Sequence, residues 1–341
     1  MQTSTKVKEY PFDPEFHWHH FPEFIKHKLS IGEPSPHLQV MGYLIKDLPW
    51  EEKVWKLGCY AAPYSLITAE ILGSYWTAEN VRDHPNDLLL WLKENWSGIL
   101  TSTERRCVRT PEKMARCLVE YAGWTKAKAP ALLEIHGSPQ ERYEQIWDSV
   151  TTVYSIGRYI AIRLIEGFNR FADVPAKLYD IRSIGAWSPK KMLAFMYPEY
   201  KEQLLSTDSK IGAVATIKIS NMAMEKLASY GLDIGHYIFA AMLCEYRKAA
   251  EDGHEYPAQT HDKEISYYNK QIEFWQSKGF QSRLFEARKA LFPSEVLGEL
   301  QGWTGIRKDL GRVLINHEYV WSDLIFDYHK SKDHLEEPVL R

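Results

Sequence analysis

The sequence predicts an all-α protein, and three observations support this fold class. Apolar residues recur at the helical spacing i, i+3 and i+4 in most segments after Trp50. Several of these segments begin with a helix-capping residue followed by proline. No segment shows the strict alternation of apolar and polar residues that is typical of a strand. We therefore expect a helical bundle whose helices are joined by loops containing glycine and proline.

Residues 1–50 show little of this periodicity. They are rich in proline, histidine and aromatic residues, and we predict that they form an irregular N-terminal arm on the surface of the bundle. The segment His17-Trp18-His19-His20 has the composition of a metal ligand set, but no second ligand pair follows at a suitable spacing. We favour packing or surface exposure for these histidines and predict no metal site.

The helical signals after residue 50 follow one another along the chain. Apolar stripes predict helices over 57–75 and 85–96, and Thr110-Pro111 starts another helix. Ser138-Pro139-Gln140-Glu141 is a capping box that opens the next helix, which leads through a tight turn into a helix that ends near Phe171. Further helices are expected from residue 188 and over 220–230, 234–250, 261–278, 281–291 and 294–300.

We divide the chain into three parts: an N-terminal arm (1–50), a helical core (51–255) and a C-terminal helical region that packs on the core (256–341). A charged and polar stretch after the Gly253–Pro257 region marks the second boundary. A faint repeat lies within the core: the sequence around Ser155-Ile156-Gly157 is echoed at Asp233-Ile234-Gly235, and Ser183-Ile184-Gly185 lies between them. The echo indicates at least that one kind of tight turn is used repeatedly.

The composition narrows the possible functions. The chain is 45% hydrophobic and 26% charged with a net charge of −3, so it is typical of a globular protein and any DNA-binding surface must be local. Its four cysteines form no Cys-x-x-Cys pair, which argues against a disulfide framework or zinc site and predicts a cytoplasmic location. The first ten residues do not resemble a signal peptide, and polar residues interrupt the longest apolar stretch, so we expect no membrane partner.

The strongest functional signal is the segment Tyr154-Ser155-Ile156-Gly157-Arg158-Tyr159-Ile160-Ala161, in which a turn joins two helices. Gly157 can adopt the backbone angles that such a turn needs and leaves amide N–H groups open. The N-terminus of the next helix adds the positive end of its dipole, so the turn can hold a phosphate oxygen. Ala161 lets the helices approach closely. The segment therefore has the pattern of a helix-hairpin-helix that holds a nucleic-acid strand, with an ordinary αα-hairpin as the alternative.

Basic residues near this turn extend the predicted DNA-binding surface. Several of them follow the turn, and a lysine pair lies at a capped helix start, where anions are favoured. The predicted DNA-binding residues are Ser155, Gly157, Arg158, Arg163, Arg182, Lys190 and Lys191.

A second basic run and an aromatic segment are candidates for chemistry. Arg105, Arg106 and Arg109 precede the helix start at Thr110, and their forked guanidinium groups suit phosphate or pyrophosphate; a solvated loop is the alternative. The apolar segment 59–66 could line a pocket for an extruded base, with core packing as the alternative. The residues predicted for this pocket are Tyr60, Tyr64 and Tyr159.

Over residues 55–200 the chain resembles the helix-hairpin-helix DNA glycosylase superfold. That superfold has a Gly-hydrophobic-Gly turn, a lysine two residues later in the lyases, then an alanine, and an essential aspartate about twenty residues further on. Here Ser155 replaces the first glycine and Tyr159 replaces the lysine, which argues against Schiff-base chemistry. The resemblance implies a glycosylase-like helical fold with Asp180 as the essential aspartate and Asp173 as second choice; a turn or capping role is the alternative for Asp180.

The whole pattern is similar to a phage family of thymine-hypermodifying enzymes, the amino-acid:DNA transferases, which are related to the alpha-glutamyl/putrescinyl thymine pyrophosphorylases. The resemblance implies that the amine of a free amino acid or polyamine displaces pyrophosphate from 5-pyrophosphomethyl-deoxyuridine in double-stranded DNA. Arg105, Arg106 and Arg109 would then hold the pyrophosphate, and Asp180 would act as base or amine anchor. No cofactor is expected, although a divalent metal could accompany pyrophosphate.

Two other functions remain open from the sequence. A monofunctional DNA glycosylase would use Asp180 to support attack of water at the sugar. A non-catalytic helical DNA-binding protein would use the hairpin only to hold the backbone. No Walker loop, Gly-x-Gly-x-x-Gly, His-Glu-x-x-His or Gly-x-Ser-x-Gly motif occurs, which disfavours nucleotide hydrolysis, dinucleotide redox chemistry and the common hydrolase families.

Overall fold

A computed structural model describes residues 13–30, 36–102, 105–181, 187–252 and 270–291. Within these ranges the chain contains helices and no strand, which confirms the predicted all-α class. The α-helices are α1 (Pro14–Ser30), α2 (Pro36–Ile45), α3 (Trp50–Ala61), α4 (Leu66–Tyr75), α5 (Ala78–Asp83), α6 (Pro85–Asn95), α7 (Pro111–Ala127), α8 (Pro139–Val150), α9 (Arg158–Phe171), α10 (Trp187–Met196), α11 (Lys201–Leu204), α12 (Ser209–Ser229), α13 (His236–Asp252), α14 (helical residues 270–276) and α15 (Leu284–Leu291). Short 3₁₀ turns cover Trp96–Gly98, Arg106–Val108, Ala129–Leu133 and Pro198–Tyr200.

The helices enclose two apolar cores. Helices α2 to α9 build the first core together with α14 and α15. Helices α1 and α10 to α13 build the second core. Tyr237 of α13 packs in the first core, whereas Ile234 and Phe239 on either side of it pack in the second. Helix α13 therefore joins the two cores.

The prediction of an irregular N-terminal arm is wrong over the described residues, because α1 and α2 are regular helices. Phe21, Phe24 and Ile25 of α1 are fully buried in the second core. The prolines and histidines of this segment obscured its helical pattern: Pro22 lies inside α1, and His17 is itself on the buried face. His17 is therefore a core residue, although its side chain is polar.

The helix starts predicted at Thr110 and Ser138 from capping signals are confirmed. The Thr110 hydroxyl accepts from the Lys113 backbone N–H at 3.4 Å. The Ser138 hydroxyl accepts from Glu141 N–H at 3.2 Å, and the Glu141 carboxylate accepts from Ser138 N–H at 2.7 Å. Helix α9 ends at Phe171, as predicted. The helix predicted over 294–300 and the first half of the one over 261–278 lie outside the described residues.

The single helix predicted over 57–75 is wrong, because the chain breaks between α3 and α4 at residues 62–65. Pro63 has no backbone N–H and cannot continue α3. Tyr64 then adopts a φ of 52°, in the left-handed region that bulky residues rarely enter. This break turns the aromatic segment toward the site described below.

Residues 270–291 pack against the first core. Trp275 is fully buried, stacks on Trp91 with ring centroids 5.5 Å apart, and donates through Nε1 to the Gly98 carbonyl at 2.9 Å. A side chain at Gly98 would overlap the ring of Phe274, so this contact requires glycine. The Glu70 carboxylate also accepts from the Ser282 hydroxyl at 2.5 Å.

The sequence echo corresponds to two related structures. We call residues 155–160, at the start of α9, the first turn–helix unit, and residues 233–238, at the start of α13, the second turn–helix unit. Each has a buried isoleucine, then an exposed glycine, then a tyrosine two positions after the glycine. A Cβ atom at Gly157 or Gly235 would meet no atom within 4 Å. The third echo, at residues 183–185, lies outside the described residues.

None of the helices in the described ranges is long and apolar enough to cross a membrane. The cysteines Cys59, Cys107, Cys117 and Cys244 are free. Within the same ranges, no three His, Cys, Asp or Glu side chains lie together in a way that could hold a metal ion.

Candidate active site

The turn of the first turn–helix unit is held from two sides. The Glu120 carboxylate accepts from the Tyr154 backbone N–H at 2.7 Å, and Arg105 donates through Nη1 to the Ser155 carbonyl at 2.8 Å. Ser155 has a φ of 65°, which is in the left-handed region and costs a non-glycine residue about 1 kcal/mol. The turn therefore keeps a strained residue at the place where the glycosylase pattern has its first glycine.

Gly157 does not supply the unusual backbone of this turn. Its φ of −85° and ψ of −178° are extended and open to any residue, so the prediction that the turn needs its conformational freedom is wrong. Ser155 has that role. Gly157 instead leaves a bare, exposed surface before α9. Among the described residues, the N–H groups of Gly157 and Arg158 have no acceptor, and they lie at the positive end of a 14-residue helix.

Arg105 connects this turn to the aromatic segment. Its Nε donates to the Ala62 carbonyl at 2.7 Å while its Nη1 donates to Ser155. With only 3% of its surface exposed, Arg105 acts first as a link between two loops. Its Nη2 is buried and has no partner within the described part of the chain. Arg106 and Arg109, from the same run, are exposed.

The three tyrosines predicted for a base pocket lie together beside this turn. The ring of Tyr64 is 5.3 Å from that of Tyr60 and 5.7 Å from that of Tyr159. The Tyr159 hydroxyl donates to the Tyr64 hydroxyl at 3.4 Å. Residues separated by nearly a hundred positions thus form one aromatic surface.

Arg163 lies at the centre of this surface. Its guanidinium is 5.0 Å from the ring of Tyr237, 5.3 Å from that of Tyr159 and 6.0 Å from that of Tyr64. It donates to the Tyr237 hydroxyl and, at 3.4 Å, to the Tyr159 hydroxyl. The His37 ring completes the cluster, 6.2 Å from Tyr60. We call this cluster the aromatic recess; its members are His37, Tyr60, Tyr64, Tyr159, Arg163 and Tyr237.

The recess is partly accessible to solvent. Tyr64, Tyr159 and Arg163 are partly exposed, whereas the other members are buried. Burial lowers the pKa of His37 to about 3, and the charge of Arg163 adds to this effect, so the imidazole is neutral near physiological pH. Burial raises the pKa of Tyr64 well above its usual range, although Arg163 opposes the change. The recess therefore offers neutral hydrogen-bonding groups around one permanent positive charge.

The predictions from the sequence do not include two members of the recess, His37 and Tyr237. They assign Arg163 a role in DNA binding. Tyr237 carried a signal, because it occupies in the echo at 233–238 the place that Tyr159 occupies in the first unit. His37 carried none, because it lies in the segment that was predicted to be an irregular arm.

Asp180 is buried, with 4% of its surface exposed. Burial lowers the pKa of His236, and the negative charge of Asp180 partly opposes this decrease. Asp180 therefore lies near His236, at the start of α13. His236 follows Gly235, and its Nε2 is buried without a partner in the described ranges. The second-choice Asp173 is exposed at a φ of 54°. Asp180 thus approaches the second turn–helix unit, next to the residue pair His236-Tyr237.

The remaining predicted DNA-binding residues are spread more widely. Arg158 is exposed at the start of α9, directly after Gly157. Lys190 and Lys191 are partly buried on α10, which packs mainly against α13 in the second core. Arg182 lies outside the described residues. The first turn and Arg158 therefore form the compact part of the predicted surface.

Comparison with known protein families decides the identity of the chain. The model of a family described as amino acid:DNA transferase matches residues 38–254. The chain belongs to the amino acid:DNA transferase family. The match runs from α2 to α13 and includes both turn–helix units and all but His37 of the aromatic recess.

Membership in the amino acid:DNA transferase family confirms the resemblance drawn from the sequence: the protein is a transferase that acts on DNA bases, with DNA and an amino acid as substrates. No curated protein and no solved structure matches the chain. The all-α class is shown, while the likeness to the glycosylase fold remains a prediction.

Proposed function

We propose that this amino acid:DNA transferase acts on 5-pyrophosphomethyl-deoxyuridine in double-stranded DNA. The amine nitrogen of the donor would form a bond to the 5-methylene carbon of the base. The bond from that carbon to the pyrophosphate oxygen would break, and the amine would lose a proton to a base on the enzyme. The observation that carries this proposal is the position of the aromatic recess, which begins at Tyr159, two residues after the exposed Gly157.

The first turn–helix unit would hold the DNA backbone, as in a helix-hairpin-helix. The N–H groups of Gly157 and Arg158 face no acceptor in the described part of the protein, and a helix N-terminus favours a phosphate oxygen. Arg158 adds a positive charge at the same place. A strand held here would lie next to the recess, close enough for one nucleotide to be extruded into it.

The extruded pyrimidine would stack in the recess. The rings of Tyr64 and Tyr159 are T-shaped to each other, with an angle of 81° between their planes, so a base can lie along one ring and meet the edge of the other. Stacking on an aromatic side chain contributes about 1–3 kcal/mol per base. The phenol hydroxyls can bond to the polar edge of the pyrimidine.

The cations of the run at 105–109 would stabilise the departing pyrophosphate. Arg106 and Arg109 are exposed, and the buried Arg105 holds the two loops beside them in place. Asp180 is proposed as the base or amine anchor, with His236 beside it. We expect Asp180→Asn to lower turnover about 100- to 10,000-fold, the usual scale for a positioned acid–base group, while DNA affinity hardly changes.

The direct test is the mass of the nucleosides in treated DNA. DNA that carries the pyrophosphorylated base, or unmodified thymine, is incubated with the protein with and without an amino-acid mixture and then digested and weighed. We expect a heavier nucleoside and free pyrophosphate only when the activated base and a donor are both present. An abasic site would instead identify a glycosylase, and binding without any nucleoside change would identify a non-catalytic DNA-binding protein.

A further inference from the structure

We propose that Arg163 binds the α-carboxylate of the amino-acid donor, and that this contact is what makes the enzyme prefer an amino acid to a simple amine. This inference rests on the proposed function, since it assigns the donor to the aromatic recess. It separates two anion sites in the protein. The exposed arginines of the 105–109 run serve the leaving group, and the enclosed Arg163 serves the donor.

The position of Arg163 suits a donor better than a DNA phosphate. Arg163 follows Tyr159 by four residues on α9, so it lies about 6 Å further along the helix axis on the same face. A base stacked on Tyr159 would lie at the mouth of the recess, and a ligand on Arg163 would lie beneath it. In an α-amino acid the amine is two bonds from the carboxylate carbon. A carboxylate held by Arg163 therefore directs the amine toward the base.

The charge of the recess fits a ligand with one negative charge. His37 is neutral and Tyr64 keeps its proton, so Arg163 is the only permanent charge among the six members. A guanidinium presents a planar fork that matches a carboxylate, and the interaction strengthens away from water. Pyrophosphate carries several charges and suits the exposed arginines.

The surroundings of Arg163 hold the fork in one orientation. Tyr159 and Tyr237, one from each turn–helix unit, accept hydrogen bonds from its two terminal nitrogens. Tyr64 approaches from a third side with a φ of 52°, and strained residues of this kind concentrate at ligand sites. Three separate segments of the chain thus position one guanidinium.

The experiment compares donors that differ only in the carboxylate. Single-turnover transfer to DNA bearing the activated base is measured with glycine and methylamine, alanine and ethylamine, and serine and ethanolamine. In the wild-type protein we expect the amino acid of at least one pair to react at least about 30-fold faster than its amine, since losing a partner from an enclosed charged contact has effects of this size or larger. Arg163→Gln should abolish that preference by slowing the amino acid, while methylamine or its counterpart changes less than about threefold.

Controls separate this role from a structural one. Arg158→Gln removes an exposed charge from the same helix; by weakening DNA binding it should slow both donors of a pair equally and so leave the donor preference intact. Tyr237→Phe removes one hydroxyl that orients Arg163 and should reduce the preference only in part. Arg163→Lys should recover part of it, because an ammonium keeps the charge but lacks the fork. Equal loss for both donors of each pair in Arg163→Gln would mean that Arg163 supports only the fold, and the inference would be wrong.

A measurement on the wild-type protein tests whether the enzyme recognises the donor carboxylate even if a variant fails to fold. The primary amide of the preferred amino acid (glycinamide, alaninamide or serinamide) keeps the amine and size of that amino acid but has no carboxylate, so it should react as slowly as the matching amine. Transfer of this amide at the rate of its amino acid would overturn the inference and leave the proposed function intact. Failure of the wild-type protein to transfer any of these donors would instead count against the proposed function itself.

Discussion

The two turn–helix units have the same apolar frame but different charges. In the first unit the glycine is preceded by Ser155-Ile156 and followed by the exposed Arg158. In the second unit the exposed Asp233 precedes the isoleucine, and His236, whose pKa is lowered by burial, follows the glycine. These charges favour a phosphate at the first turn over the second. We therefore predict that the two turns, although similar in sequence, do not bind the same ligand.

The units also differ in how their turns are held. The first keeps a strained Ser155 through contacts with Arg105 and Glu120. Just before the second unit, Gly231 ends helix α12 at a φ of 78°, and the Leu232 N–H donates to the Leu227 carbonyl at 3.1 Å. Glycine accepts this backbone without strain. The first turn therefore depends on distant side chains, whereas the second depends mainly on its own sequence.

The largest expected effect comes from removing the side chain that holds the first turn. Arg105→Ala leaves two carbonyls without their charged donor and opens a cavity, so the free energy of unfolding should fall by about 3 kcal/mol or more. Urea denaturation measures this loss. The exposed neighbour provides the control, because Arg106→Ala should change the stability by less than about 0.5 kcal/mol. A loss below 1 kcal/mol in Arg105→Ala would show that the turn stands without it.

Acid should destabilise the core that carries the second unit. Burial lowers the pKa of His17 to about 4, and the residue contacts the Tyr246 hydroxyl at 3.2 Å. The unfolded chain binds the proton more readily, so stability is complete above pH 6.5 and decreases as the pH falls toward 4. At about 1.4 kcal/mol per pKa unit, His17 accounts for about 3 kcal/mol. His17→Gln should remove about this much of the decrease in stability and leave the part that comes from His20 and His37, whose pKa values burial also lowers, whereas exposed His84→Gln should leave the whole decrease in place.

A glycine substitution in each unit tests which turn binds DNA. Neither Gly157 nor Gly235 is crowded, so valine at either position should leave the fold intact. If only the first turn holds a phosphate, Gly157→Val should weaken DNA binding about fivefold while Gly235→Val has no effect. Fluorescence anisotropy at several salt concentrations measures the affinities. Equal weakening by both variants would mean that the charge difference does not distinguish the units.

The smallest expected effect tests the strain at the first turn. Ser155→Gly should raise the free energy of unfolding by up to about 1 kcal/mol, because glycine enters the left-handed region freely and loses part of the gain through its unfolded-state entropy. The reverse exchange, Gly231→Ser, should lower the stability by about 1 kcal/mol. Thermal or urea unfolding of the two variants would show opposite shifts. Shifts of the same sign would contradict the assignment of strain to Ser155.

The sequence predicted those parts of the fold that depend on local interactions. Ser138 with Glu141, and Thr110 before Pro111, act within one helical turn and could be recognised from spacing alone. The break at 62–65 was missed because apolar periodicity continues on both sides of Pro63. Helix α1 was missed because its buried face includes histidines, which counted as polar.

The site was predicted in its components but not in its arrangement. Tyr60, Tyr64 and Tyr159 could be proposed from residue type and nearness to a turn. The central position of Arg163 could not, because it depends on Tyr237, which packs in the first core although most buried residues of its helix α13 pack in the second. The connection made by Arg105 was equally hidden, since its acceptors are backbone carbonyls, which carry no sequence signal.

The contact between Trp275 and Gly98 determines how far the chain can be shortened at its C-terminal end. The family match ends at residue 254, yet Trp275 lies beyond it and covers the backbone at Gly98 as well as the ring of Trp91. A chain shortened to the matched segment would leave an indole-sized opening in the first core, beside a carbonyl that had lost its donor. Shortened versions for expression should therefore retain residues up to 291, or replace Gly98 and Trp91 to suit the missing cover.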